Sequence, residues 1–177
     1  IIEVEEGSPD ETEKQMSQSG KFKGDNSQTG QSDTFTKIKA SLADEIARGK
    51  LEVERLDNQI IVRIADQGSF RSGYATLQQS FLPTLGKVAN SLKNTSGQIT
   101  VEGHTDNVPI AFSERFRTNW DLSAARSAAV ADYLLNNSKL SAGRVTVTGF
   151  ADTKPMVSND TPLGRSKNRR IEIVIDN

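Results

Sequence analysis

The sequence predicts an α/β fold, in the α+β sense of a two-layer sandwich whose mixed β-sheet is covered by helices, and three observations predict it. Apolar residues alternate with polar ones over several short segments, the two-residue period of a half-buried strand. Elsewhere they recur every three or four residues, the period of an amphipathic helix. After a first pair of strands the two patterns alternate along the chain. That order favours parallel neighbours joined through helices, while the first pair adds an antiparallel hairpin.

Taken in order, Phe35, Ile38, Leu42 and Ile46 follow the capping-type pair Asp33-Thr34 and run to Gly49, which predicts a helix with one apolar stripe and a glycine stop. Residues 51–56 and 59–65 read as strands around the turn-prone Asp57-Asn58, with Ile60, Val62 and Ile64 alternating. Over 77–92 the stripe Phe81, Leu85, Val88, Leu92 predicts a helix, provided that Pro83 falls in its first turn. A strand at 98–102, an Ala- and Leu-rich helix at 121–136, and strands at 144–148 and 170–175 complete the series. Residues 103–120 and 149–169 are left as two long polar loops, and loops of more than about 12 residues in a compact domain are often functional.

Composition narrows the function classes. The 177 residues hold 22 Lys and Arg against 23 acidic residues, so the balance predicts neither bulk nucleic-acid binding nor a field for acidic substrates. No cysteine is present, which excludes disulfide and thiol chemistry. The near-neutral total hides a split: residues 1–33 carry eight acids and three bases, and the rest 15 acids and 19 bases. With few large apolar residues among Ser, Gln, Gly, Asp and Glu, residues 1–33 read as a flexible linker. No apolar stretch approaches the roughly 20 residues of a spanning helix.

The chemistry concentrates in the two loops. Gly103-His104-Thr105-Asp106 leaves a strand, and Asn119-Trp120-Asp121-Leu122-Ser123 with Arg126 opens the next helix. Asp106 and Arg126 placed side by side would offer an acceptor for an ammonium and a forked donor for a carboxylate, which suits a zwitterion; an ion pair that staples the loop is the alternative. Asn119 or Asp121 either caps the helix or meets a ligand. The lone His104 has no neighbouring Cys, His or clustered carboxylates at a metal-ligand spacing, so no metal and no cofactor is expected. A hydrolytic set of His104, Asp106 and Ser123 lacks a nucleophile elbow, so no catalysis is expected either. The second loop ends Gly164-Arg165-Ser166-Lys167-Asn168-Arg169-Arg170. That basic cluster either holds an anion or pairs with Asp106, Asp121 or Asp152 to tie the loops together.

These ordered motifs, Gly103 to Asp106, Leu122-Ser123 with Arg126, then Gly164-Arg165 and Asn168 to Arg170 before a last strand, resemble the OmpA-like peptidoglycan-binding domain over residues 60–177. The resemblance implies a mixed β/α sandwich that binds the diaminopimelate stem peptide of the wall without catalysis. Asp106 would receive the ligand ammonium and Arg126 its carboxylate, with Thr105, Asn119, Leu122, Ser123, Asn168, Arg169 and Arg170 completing the pocket. Replacing Asp106 or Arg126 by Ala is expected to leave the fold intact. Asp106-Asn107-Val108-Pro109-Ile110, Asn119 to Ser123 and Gly149-Phe150-Ala151-Asp152 are most similar to the B subunits of flagellar stators, of the MotB/PomB type. Ser127, where alanine is usual, and Phe150, where tyrosine is common, are mild departures.

The stator likeness implies a periplasmic, homodimeric anchor of a Gram-negative bacterium. It would be joined to an A subunit through a membrane segment outside this chain and would lie close to periplasmic flagellar ring proteins. Residues 34–65 would be a stator-type extension of helix and hairpin. An outer-membrane or Pal-type tether is the alternative.

Overall fold

The computed structural model describes residues 27–110 and 115–176, with side chains from residue 33 onward. Most of the linker expected at 1–33 lies outside them. Helix α1 spans Ser27–Ser41 and starts six residues ahead of Asp33, the first of the expected capping pair. The single helix expected up to Gly49 is two, α1 and α2 (Ala43–Ala47), kept in one ladder by Leu42 N–H to Ile38 O and Ile46 N–H to Leu42 O. Gly49 ends it at φ +67 in a Schellman arrangement, with its own N–H on Ile46 O and the Lys50 N–H on Glu45 O.

Strands β1 (Leu51–Leu56) and β2 (Gln59–Ala65) form the expected hairpin, closed by Asp57-Asn58 with Asp57 at φ 50. A 3-10 turn over Gln79–Phe81 leads into α3 (Leu82–Ser91), shorter than the stripe suggested and with Pro83 in its first turn, where no intrahelical N–H is needed. Then follow β3 (Ile99–His104), α4 (Asn119–Asn137), β4 (Val145–Gly149), α5 (Pro162–Asn168) and β5 (Arg170–Asp176). The polar stretch 149–169 is therefore not loop throughout: α5 starts behind Thr161, whose side chain accepts from Gly164 N–H, with Pro162 at its first position.

The strands order as β1-β2-β5-β3-β4, parallel only between β3 and β4, which α4 connects. β5 lies between β2 and β3 and is buried on both faces. Ile60, Val62, Ile64, Ile99, Val101, Ile171, Ile173 and Ile175 form one face, packed with Ile38, Leu42, Leu85, Val88, Val130 and Leu134 of the helices. The other face carries Arg63, Glu102, His104, Arg170 and Glu172. Gly103 is required where α4 crosses β3, because a Cβ there would overlap Ser123 O.

Candidate functional site

Strand register brings three charges to one end of the sheet. Ala65 and His104 both pair with Arg170, so Asp66 just past β2, Asp106 just past β3 and Arg169 just before β5 stand on adjacent strands. Arg126 reaches the same end from α4. These side chains line a cleft of about 910 Å³ with Thr105, Asn119 and Leu122 on one side and the loop from Gln67 to Gln78 on the other.

Asp106 and Arg126 share this cleft, but each has another partner. Asp106 Oδ2 lies 2.5 Å from Arg169 Nη1, and its Oδ1 accepts from the Val108 N–H. Arg126 Nη1 lies 2.8 Å from Asp66 Oδ1, a charge contact rather than an aligned hydrogen bond, and Arg169 Nε is 3.7 Å from Asp66 Oδ2. The result is a chain of alternating sign: Asp106, Arg169, Asp66, Arg126. Both loop-tying and convergence are therefore present, with Arg169 as the tie. Burial pushes the Asp66 carboxyl above the ordinary aspartate range, and Arg126 and Arg169 only partly offset it. Burial likewise lowers Arg126 below the ordinary arginine value.

Arg126 also holds the fold. Its Nε donates to Tyr74 O, its Nη2 to Arg71 O, and its guanidinium lies 5.0 Å from the Phe70 ring centroid. Removing it would leave Asp66 buried without its nearest cation, so the expectation that Arg126→Ala spares the fold does not hold on this geometry. Neither Asp66 nor the loop that follows it is among the residues that the sequence motifs single out. A carboxylate directly at a strand end before Gly68 and Gly73 was the available signal.

The remaining candidates divide. The α4 cap is Thr118, which accepts from Asp121 N–H, rather than Asn119 or Asp121. That releases the Asn119 amide to donate to Asp106 O and Val108 O, which pins the loop. Thr105 donates its N–H to Ala151 O, and Ser123 Oγ accepts from Ala151 N–H while donating to Trp120 O. Together they hold Ala151 at φ 49 and join the two loops. Ser127 Oγ bridges Ser123 O and Thr148 O, and Phe150 stacks on His104 at 5.4 Å. Asn168 is fully buried, accepting from Met156 and Val157 N–H and donating to Val157 O and Asn159 Oδ1. Arg170 turns to the polar sheet face, onto Glu172, Asn168 O and Lys154 O. Ser123, Asn168 and Arg170 thus shape the loops without lining the cleft, whereas Thr105, Asp106, Asn119, Leu122, Arg126 and Arg169 line it.

The sequence profile of the OmpA family matches residues 69–169, which contain both loops and all the helix-borne charges of the cleft. The chain belongs to the OmpA family. It is 36% identical to Motility protein B of Bacillus subtilis over 141 residues, covering 79% of this chain and 54% of that protein. It therefore spans about half the length of that relative. Among solved structures it is similar to a putative MotB-like protein from Desulfovibrio vulgaris, at TM-score 0.78 and 25% identity over 84% of this chain and 95% of that one. It is also similar to the cell wall anchor of the T6SS from Pseudomonas aeruginosa, at TM-score 0.74 and 38% identity over 78% and 96%. The fold is that of the OmpA-like domain in MotB-type proteins. No helix among the described residues is long and apolar enough to cross a membrane.

Proposed function

We propose that this domain is a non-catalytic peptidoglycan anchor and that its cleft takes the zwitterionic diaminopimelate end of a stem peptide. The observation that carries this is the alternating set Asp106, Arg169, Asp66 and Arg126, buried except for the part-exposed Arg169. Each charge in this chain lies against one of opposite sign, which offsets part of the cost of taking it out of water. An incoming ammonium would replace the arginine contact on Asp106, and an incoming carboxylate would take the guanidiniums released, so charge balance is kept through the exchange. Wall anchoring is supported by the family and by the anchor from Pseudomonas aeruginosa.

The finer reading is the wall-side part of a flagellar stator B subunit, supported by the likeness to Motility protein B. In that role the chain would act as a homodimer on an A subunit carried by a membrane segment outside this sequence, close to flagellar ring proteins. Residues 34–65 would be the stator-type extension, and 60–177 the wall-binding domain. A wall anchor of a secretion machine is the second reading, favoured by the 38% identity to such an anchor.

Co-sedimentation with purified diaminopimelate-type peptidoglycan tests the anchor. Wild type pellets, and Asp106→Asn and Arg126→Lys, checked by circular dichroism, remain in the supernatant. Release of soluble wall fragments would indicate an enzyme instead, and pelleting by both folded variants would place the grip elsewhere.

A further inference from the structure

On the polar face of the sheet, away from the cleft, two glutamates stand directly opposite each other. Glu102 of β3 pairs in register with Glu172 of β5, and like charges so placed destabilise a sheet unless something neutralises them. His104 lies two residues along β3 on the same face. Its side chain is 1% exposed, and neither ring nitrogen has a hydrogen-bond partner among the described residues. A buried imidazole with no hydrogen bond is costly, so its place beside two carboxylates calls for a reason.

We propose that Glu102, His104 and Glu172 form a site for a divalent transition cation of the zinc class. One ligand atom from each lies within 4.8 Å of the others. His104 Nε2 and Glu102 Oε2 are already 3.5 Å apart, close to the roughly 3.3 Å edge of a tetrahedron with bonds of about 2.0–2.1 Å. The third ligand needs to close by at most about 1.5 Å, within reach of a glutamate rotamer adjustment. Glu172 is oriented by neighbours: Arg170 Nε and Arg63 Nε both donate to its Oε1, at 2.6 and 3.0 Å, which leaves Oε2 to face the ion. Arg63 pairs with Glu52, Glu54 and Glu172 and Arg170 with Glu172, whereas the ion-pair contact of Glu102 is with His104, which leaves the Glu102 charge available to a cation. One nitrogen and two oxygens select zinc-like ions over magnesium, which favours oxygen alone. Bound there, the ion clamps β3 to β5 immediately below Asp106 and Arg169. Spacing along the sequence hides this cluster because Glu172 arrives across the sheet.

Isothermal titration of chelator-treated protein with Zn²⁺ at neutral pH, with Mg²⁺ in parallel, decides it. The expected result is one Zn²⁺ per chain at micromolar affinity or tighter and no comparable Mg²⁺ binding. Glu102→Gln weakens Zn²⁺ at least as much as the roughly 10- to 100-fold that follows loss of a supporting partner in known sites. His104→Asn does the same if it folds; if it does not, Glu102→Gln decides alone. Absence of Zn²⁺ binding, equal binding of Mg²⁺, or Zn²⁺ affinity unchanged in folded Glu102→Gln overturns the site.

Discussion

The two faces of the sheet are built from the same strands by opposite means. On β5, Ile171, Ile173 and Ile175 are almost fully buried against helices, while Arg170 and Glu172 alternate with them and are buried through ion pairs. The apolar face gains stability from area removed from water, which is non-directional and tolerant of neighbours. The polar face depends on each charge finding a partner, so it contributes less to net stability and more to where side chains point. The cleft that holds Asp66, Asp106, Arg126 and Arg169 opens at one end of this sheet.

This contrast can be broken by experiment. The largest expected loss is on the apolar face: Ile173→Ala should cost about 2–5 kcal/mol in urea unfolding, because the site is fully enclosed and collapses poorly. Gly103→Ala comes next, at about 1–3 kcal/mol, since the new methyl meets the α4 backbone at Ser123 and only a shift of the helix relieves it. A loss under about 0.5 kcal/mol in either would show that packing is looser than described.

Ion pairs should cost less and depend on pH. Glu45 of α2 accepts a hydrogen bond from Lys87 of α3 at 2.6 Å, and that bond holds its carboxyl below the ordinary glutamate range. A depressed value contributes stability that is present above the unfolded value and lost as pH falls through the folded one. Glu45→Gln should therefore be less stable than wild type by about 1 kcal/mol at neutral pH, given the half-exposed lysine, and the gap should close in acid. A gap independent of pH would assign the effect to packing. The smallest effect is expected for Glu52→Gln: its carboxylate is 73% exposed, and the change in thermal midpoint should be close to the measurement error.

Much of the fold was legible because period alone reports it. The alternation of Ile60, Val62 and Ile64 and the stripe Leu85, Val88, Leu92 are local signals, and the hairpin fell where they put it, while the helices fell there in kind but not in their ends. What failed was competition among equivalent local chemistries: Thr118, Asn119 and Asp121 are all good caps, and only the strand-to-helix path selects Thr118. Helix α5 was missed although Thr161-Pro162 announces it, since a seven-residue helix shows too little apolar period to stand out.

The site was half legible. Asp106, Arg126 and Arg169 could be singled out by type and position, with a tie from the basic cluster to Asp106 among the alternatives, but Asp66 as the partner of Arg126 is chosen by register between β2, β5 and β3. Nothing in residues 103–126 points to a carboxylate at position 66. The same non-locality concealed the approach of Glu172 to His104.

On the proposed function, the cleft exchanges its internal ion pairs for those of a zwitterionic wall peptide. Calorimetric titration with a soluble diaminopimelate-containing stem peptide tests it most directly, comparing wild type with folded Asp106→Asn. One peptide should bind per chain, and the variant should lose about 2 kcal/mol or more of binding energy. Undiminished binding by Asp106→Asn would contradict it.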